Sequence, residues 1–190
     1  MADIRDRLRA ADIPRRYWDP PRDLPPGDAR GTRWIEAGGR LWATFGTGAV
    51  AAVVGNRGTG KSHMVCTALR HAGENGRSIL YTTAVGMFLR IREAFRQGAE
   101  ATERALVDRY ARPGVLVIDE AQVRGESAWE DNVLTHIIDR RYAAMLDTVL
   151  VSNHRPEELA KSLGPSVADR MRETGVVIVC DWPSFRRDER

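Results

Sequence analysis

Gly55-Asn56-Arg57-Gly58-Thr59-Gly60-Lys61-Ser62 satisfies the pattern G-x-x-x-x-G-K-[ST] without a departure, and this Walker A loop dictates much of the fold around it. Glycines at 55, 58 and 60 let the backbone turn its N–H groups inward with no Cβ in the way, making a nest for phosphate oxygens. The loop works only between a strand and a helix, because the helix start adds its positive end to the same anion. Both neighbours are legible. Ala49 to Val54 is an unbroken apolar run, and His63 to His71 continues at helical spacing. A glycine-rich turn matching by accident would lack that frame. Lys61 is placed to reach the β- and γ-phosphates, and the Ser62 hydroxyl to hold Mg²⁺.

At 190 residues the chain suits one domain with a full core. No run of about eighteen apolar residues occurs, so no membrane span is expected. The start, Met1-Ala2-Asp3-Ile4-Arg5, has no apolar export core, and Cys66 and Cys180 lack CxxC spacing. Both features suggest a cytoplasmic protein with reduced, buried thiols. The net charge of +3 points to a local nucleic-acid track rather than a globally basic surface. Of the 29 basic residues only Lys61 and Lys161 are lysine, which leaves arginine for every other cationic role.

A short charged helix is expected within residues 1–12. A connector and helix fill 13–45, with five of the nine prolines between Pro14 and Pro26 making that stretch extended. From 46 to 187 apolar strands alternate with helices. The strands fall near residues 49–54, 78–83, 115–118, 148–151 and 176–179, and helices are expected over 85–97, 99–110, 128–145, 156–163 and 165–173. Apolar strands separated by helices imply a five-stranded parallel sheet covered on both faces, with the P-loop strand central.

The strand Val115 to Ile118 runs into Asp119-Glu120, the Walker B form. Its aspartate supports Mg²⁺, and the adjacent glutamate can activate a water for phosphate hydrolysis. The bland alternative is a pair of acids capping the next helix. Asn153 ends the following strand, where its amide could hold the attacking water or simply form a turn.

Several stretches resemble DnaC-type helicase loaders: Ile118-Asp119-Glu120, Glu126 to Glu130, Ile138 to Arg141, Ser152-Asn153, Pro156 to Leu159, Val167 to Arg172, and the end Asp181-Trp182-Pro183-Ser184-Phe185-Arg186. IstB-type transposition ATPases and the initiator branch of AAA+ proteins are the near relatives of that group. The resemblance implies an AAA+ core with a C-terminal lid short or absent. It implies that Asn153 is the sensor 1 residue, Arg170 an arginine finger acting on a neighbouring subunit, and Arg186 the sensor 2 arginine. Read from the residues alone, Asp169-Arg170-Met171-Arg172 fits a solvated charged helix face better than a finger.

The same resemblance implies a single-stranded DNA track using Arg92, Phe95, Ser127 and Trp129. Arginine would neutralise phosphate and the rings would stack on bases. Burial of Phe95 in the core is the rival reading. Ile13 to Tyr17 resembles the short box that opens these nucleotide domains. Together these imply an ATPase using ATP and Mg²⁺, a homo-oligomer with shared sites, and a replicative helicase as partner. The short stretch before Ile13 puts direct helicase docking in question. The alternatives are an IstB-like transposition helper on double-stranded DNA and a small-molecule P-loop kinase.

Overall fold

The computed structural model describes residues 3–19, 21, 27–94, 102–125 and 127–186. Five parallel strands form one sheet: β1 (Val50–Gly55), β2 (Ile79–Thr83), β3 (Val115–Asp119), β4 (Asp147–Ser152) and β5 (Val177–Cys180), in the order β2-β3-β4-β1-β5. The P-loop strand β1 is therefore interior but not central, since β4 takes the middle and β1 lies between it and the edge strand β5. Sequence order gives no direct signal for this, because parallel pairing is decided by crossovers.

Alternation along each strand sends side chains to opposite faces. Ala51, Val53, Val117, Val149 and Val151 pack under α1 (Ile4–Ala10), α2 (Ala29–Trp42) and α3 (Lys61–Glu74). Val50, Ala52, Val54, Leu116, Ile118 and Leu150 face the other layer. That layer is built from α4 (Ala84–Glu93), α5 (Glu103–Ala111), α6 (Ala128–Ala143), α7 (Pro156–Leu163) and α8 (Pro165–Thr174). The result is the five-stranded parallel sheet covered by helices on both faces that the alternation of strands and helices predicts.

The helix starts follow side-chain chemistry. Asp28, Thr83, Thr102 and Ser127 each accept an N–H from the first turn of α2, α4, α5 and α6 respectively. The stretch expected to be an unpacked proline connector is packed over its first part. Arg15–Tyr17 forms a 3-10 turn, Ile13 is buried, and Tyr17 and Trp18 lean on the core. The Ala11 carbonyl accepts the Tyr81 N–H, so the N-terminal segment also caps edge strand β2.

A buried polar cluster holds the amino ends of β3 and β4. Arg141, fully buried, donates to the carbonyls of Tyr110, Pro113 and Asp147 and to the Thr148 hydroxyl. Asp147 accepts from the N–H groups of Gly46 and Gly48 and pairs with Arg77. The P-loop, Asp119-Glu120 and Asn153 lie at the opposite, carboxyl ends of the strands.

Candidate active site

A cavity of about 520 Å³ opens where β1, β3 and β4 end. Its walls include Arg57, Gly58, Gly60, Lys61 and Ser62 from the P-loop, Asp119 and Glu120 from the end of β3, Asn153 after β4, and Arg186. Arg16, Tyr17 and His63 close another side, with the Tyr17 and His63 rings edge to face at 5.5 Å. Gly55, Asn56 and Thr59 shape the loop without lining the cavity. Thr59 is fully buried, and its hydroxyl donates to the Asn56 carbonyl at 2.9 Å.

Lys61 is buried, and its Nζ donates to the carbonyls of Gly55 and Asn56, both at 2.7 Å. Burial holds its ammonium below the usual lysine range, while Asp119 pulls the other way. Gly60 caps α3 at φ 82°, so the loop turns left-handed just before the helix begins.

The loop is braced by residues that motif reading does not reveal. The Trp34 indole N–H donates to the Gly60 carbonyl at 3.1 Å, and the Trp182 indole N–H to the Thr59 carbonyl at 3.0 Å. The Phe185 N–H donates to the Gly58 carbonyl at 2.8 Å. The segment Trp182 to Arg186 thus lies against the P-loop, which is how Arg186 reaches the cavity. Gly55, at φ 140°, sits so close to β5 that an added Cβ would lie 2.2 Å from the Cys180 carbonyl oxygen. Cys66 and Cys180 are both buried free thiols, and burial pushes Cys180 up to about 12.

At the end of β3, both Asp119 carboxylate oxygens accept hydrogen bonds. Tyr81 Oη donates to Oδ2 at 2.8 Å, and the Glu120 N–H donates to Oδ1 at 2.8 Å. Tyr81 is a further residue that motif reading misses; its only signal is a phenol hydroxyl midway along the strand Ile79–Thr83. Burial raises its pKa, and Asp119 adds to the shift, so the phenol stays a donor. Glu120 itself has φ 53° and is exposed to the cavity. A glutamate in the left-handed region is strained, and such strain clusters at functional sites. The Asn153 N–H donates to Gln122 Oε1 at 3.3 Å, tying the end of β4 to the loop after Glu120.

Arg170 lies elsewhere. It is on α8, which packs on the sheet face opposite α3, and it does not line this cavity. Its guanidinium donates to the Ser166 carbonyl at 2.9 Å, pairs with Asp139 at 3.0 Å and stacks over Tyr142 at 5.2 Å.

The residues read as a DNA track are also separate, and they contact one another. Arg92 pairs with the buried Glu130 at 2.9 Å and lies 5.0 Å from the centre of the Trp129 ring. Trp129 is half-buried, edge-on to Phe88. The Ser127 hydroxyl accepts the Glu130 N–H at 3.3 Å as the cap of α6. Phe95 lies outside the described residues.

The family model of IstB-like ATP binding proteins matches residues 46–186. The chain belongs to that family. The replicative helicase loader DnaC of Escherichia coli K12 is 32% identical over 133 residues, a match covering 70% of this chain and 54% of that protein. The chain thus spans about half the length of the curated relatives it matches. Among solved structures, a crystal structure of the DnaC helicase loader aligns with a TM-score of 0.72 at 21% identity, covering 87% of this chain and 99% of the other. The replication initiator DnaA bound to AMPPCP and single-stranded DNA aligns with a TM-score of 0.63 at 20% identity, covering 78% and 44%. Among the described residues no helix is long and apolar enough to cross a membrane.

Proposed function

We propose that this member of the family hydrolyses ATP at the carboxyl-end cavity and works as a DnaC-type replication factor that assembles on single-stranded DNA. One observation carries the reading: Lys61, Ser62, Asp119, Glu120 and Asn153, from three strand ends, line a single cavity. Lys61 and the P-loop N–H groups would bind the β- and γ-phosphates, and Glu120 would take the proton of the attacking water that Asn153 orients. The Ser62 hydroxyl and the Asp119 carboxylate are hard oxygen donors, suited to Mg²⁺ that keeps its remaining positions for phosphate and water. Bound there, Mg²⁺ would neutralise charge on the phosphates. Arg186 adds a cation on the tail side.

Arg170 is assigned to the neighbouring subunit's ATP, since it lies on the far sheet face from its own P-loop. Acting in trans, it must leave Asp139 as copies assemble. Cation placement of this kind contributes roughly 10³ or more in rate. A replicative helicase is the partner this reading expects, and the homo-oligomer shares its sites between copies. The family's name supports a second reading, a transposition helper on double-stranded DNA, which tighter binding to duplex than to single strand would favour.

The experiment is a pair of substitutions followed by nucleotide binding and phosphate release. Lys61→Ala should abolish ATP binding. Glu120→Gln should retain binding and hydrolyse at least about a hundredfold more slowly. Full turnover by Glu120→Gln would reduce Glu120 to a structural acid.

A further inference from the structure

A second cleft, of about 460 Å³, is lined by Arg9, Arg15, Trp18 and Arg90 together with Asp12, Ile13 and Pro14. We propose that it is a separate nucleic-acid contact, taking the phosphodiester backbone against guanidinium groups arranged around Trp18.

The indole is fixed first. Its Nε1–H donates to the Ile13 carbonyl at 2.8 Å, and Arg70 donates to the Trp18 carbonyl at 3.2 Å. Arg9 and Arg15 then stack on the ring, with guanidinium carbons 5.8 and 5.6 Å from its centre. Stacking on an aromatic face leaves the guanidinium edge, with its forked N–H donors, available to phosphate oxygens. Arg15 makes no ion pair among the described residues.

Asp12, at φ 57°, places one carboxylate oxygen 3.1 Å from Arg90 and 2.9 Å from Arg109, holding those two cations side by side. Arg9 pairs with Asp6 in an exposed contact of 2.8 Å that solvent screens. The lining itself holds three arginines, Arg9, Arg15 and Arg90, and one carboxylate, Asp12, an excess of two positive charges. Positive excess interleaved with an aromatic fits a polyanion with spaced phosphates.

This cleft is distinct from the residues already discussed. Arg90 and Arg92 share α4 but point to different partners, Asp12 for the first and Glu130 for the second. Arg15 and Arg16 share one 3-10 turn, yet Arg16 lines the nucleotide cavity while Arg15 lines the cleft. The inference stands whether or not Arg92 and Trp129 touch DNA.

The test is fluorescence anisotropy of the full chain with a labelled oligothymidylate and, separately, a labelled duplex, across a salt titration. Arg9→Ala/Arg15→Ala should lower the slope of log affinity against log salt by about 0.7 per arginine on single strand or about 0.9 on duplex. The strand form that shows the change identifies the ligand. Arg15→Lys should keep its share of the slope, and the double variant should bind nucleotide normally without DNA. Unchanged slopes on both strand forms overturn the proposal. So does weaker binding at unchanged slope, or wild-type protein that ignores both strands and binds polyglutamate. Arg92→Ala, run alongside, separates the two assignments. A slope lowered only by Arg92→Ala sinks the cleft alone, and one lowered only by the double variant sinks the Arg92 track alone.

Discussion

At the P-loop, the motif is held from outside by partners far along the chain: Trp34, Trp182 and Phe185 bond to its carbonyls, while Lys61 and Ser62 face the cavity. Where α4 meets α6, the resemblance-derived residues hold one another instead. Arg92 sits between Glu130 and Trp129, and Ser127 spends its hydroxyl capping α6. The first arrangement takes its scaffolding from elsewhere, and Lys61 is held by the loop's own Gly55 and Asn56 carbonyls, neutral acceptors that an anionic phosphate can displace. In the second, any DNA phosphate must compete with the buried Glu130 for Arg92. A match to a family pattern therefore weighs more where the structure supplies separate supports.

The largest expected effect breaks the first arrangement. Gly55→Ala would force a Cβ against the Cys180 backbone carbonyl, which no side-chain rotation can relieve, at a φ that alanine resists. Strain and overpacking together cost about 2–6 kcal/mol, lowering Tm by roughly 4–24 °C in a domain of this size. ATP binding should fail with it. Thermal melting and nucleotide titration check this, and a wild-type Tm would mean that β5 yields easily and the brace is slack.

A smaller effect sharpens the second. Glu130→Gln keeps an acceptor for the Gly125 N–H but removes the charge that occupies Arg92. Single-strand affinity should rise at low salt, with its salt slope steeper by about 0.7, one released phosphate contact. Adding Arg92→Ala should erase that gain. If the gain persists without Arg92, Glu130 acts through general charge and Arg92 is not the contact.

The fold was legible where composition and period agree. Each strand carries an apolar stretch, though β2 ends in Thr82-Thr83 and β4 opens on Asp147-Thr148, and the P-loop announces its own strand and helix. Element ends shift by a residue or a few, as at α5, which starts at Glu103 where pattern suggested 99. Strand order was less legible: β4 takes the middle through pairing with β3 and β1, and no local residue encodes that. The site divides in the same way. Its P-loop residues lie within one motif, whereas the contacts of Tyr81 with Asp119 and of Trp34 and Trp182 with the loop span 38, 26 and 123 residues. Such contacts exist only once the sheet has formed.

The central claim is that the ATP site is completed by a neighbouring copy, and mixing two inactive variants tests it most directly. Lys61→Ala removes the P-loop cation but leaves Arg170 intact; Arg170→Ala does the reverse. Each alone should show no hydrolysis above background. Mixed with single-stranded DNA, they should recover part of the wild-type rate, because some interfaces join the intact P-loop of one to the intact Arg170 of the other. A mixture that stays inactive while light scattering shows both variants in one assembly would contradict the account and leave Arg170 as a structural partner of Asp139.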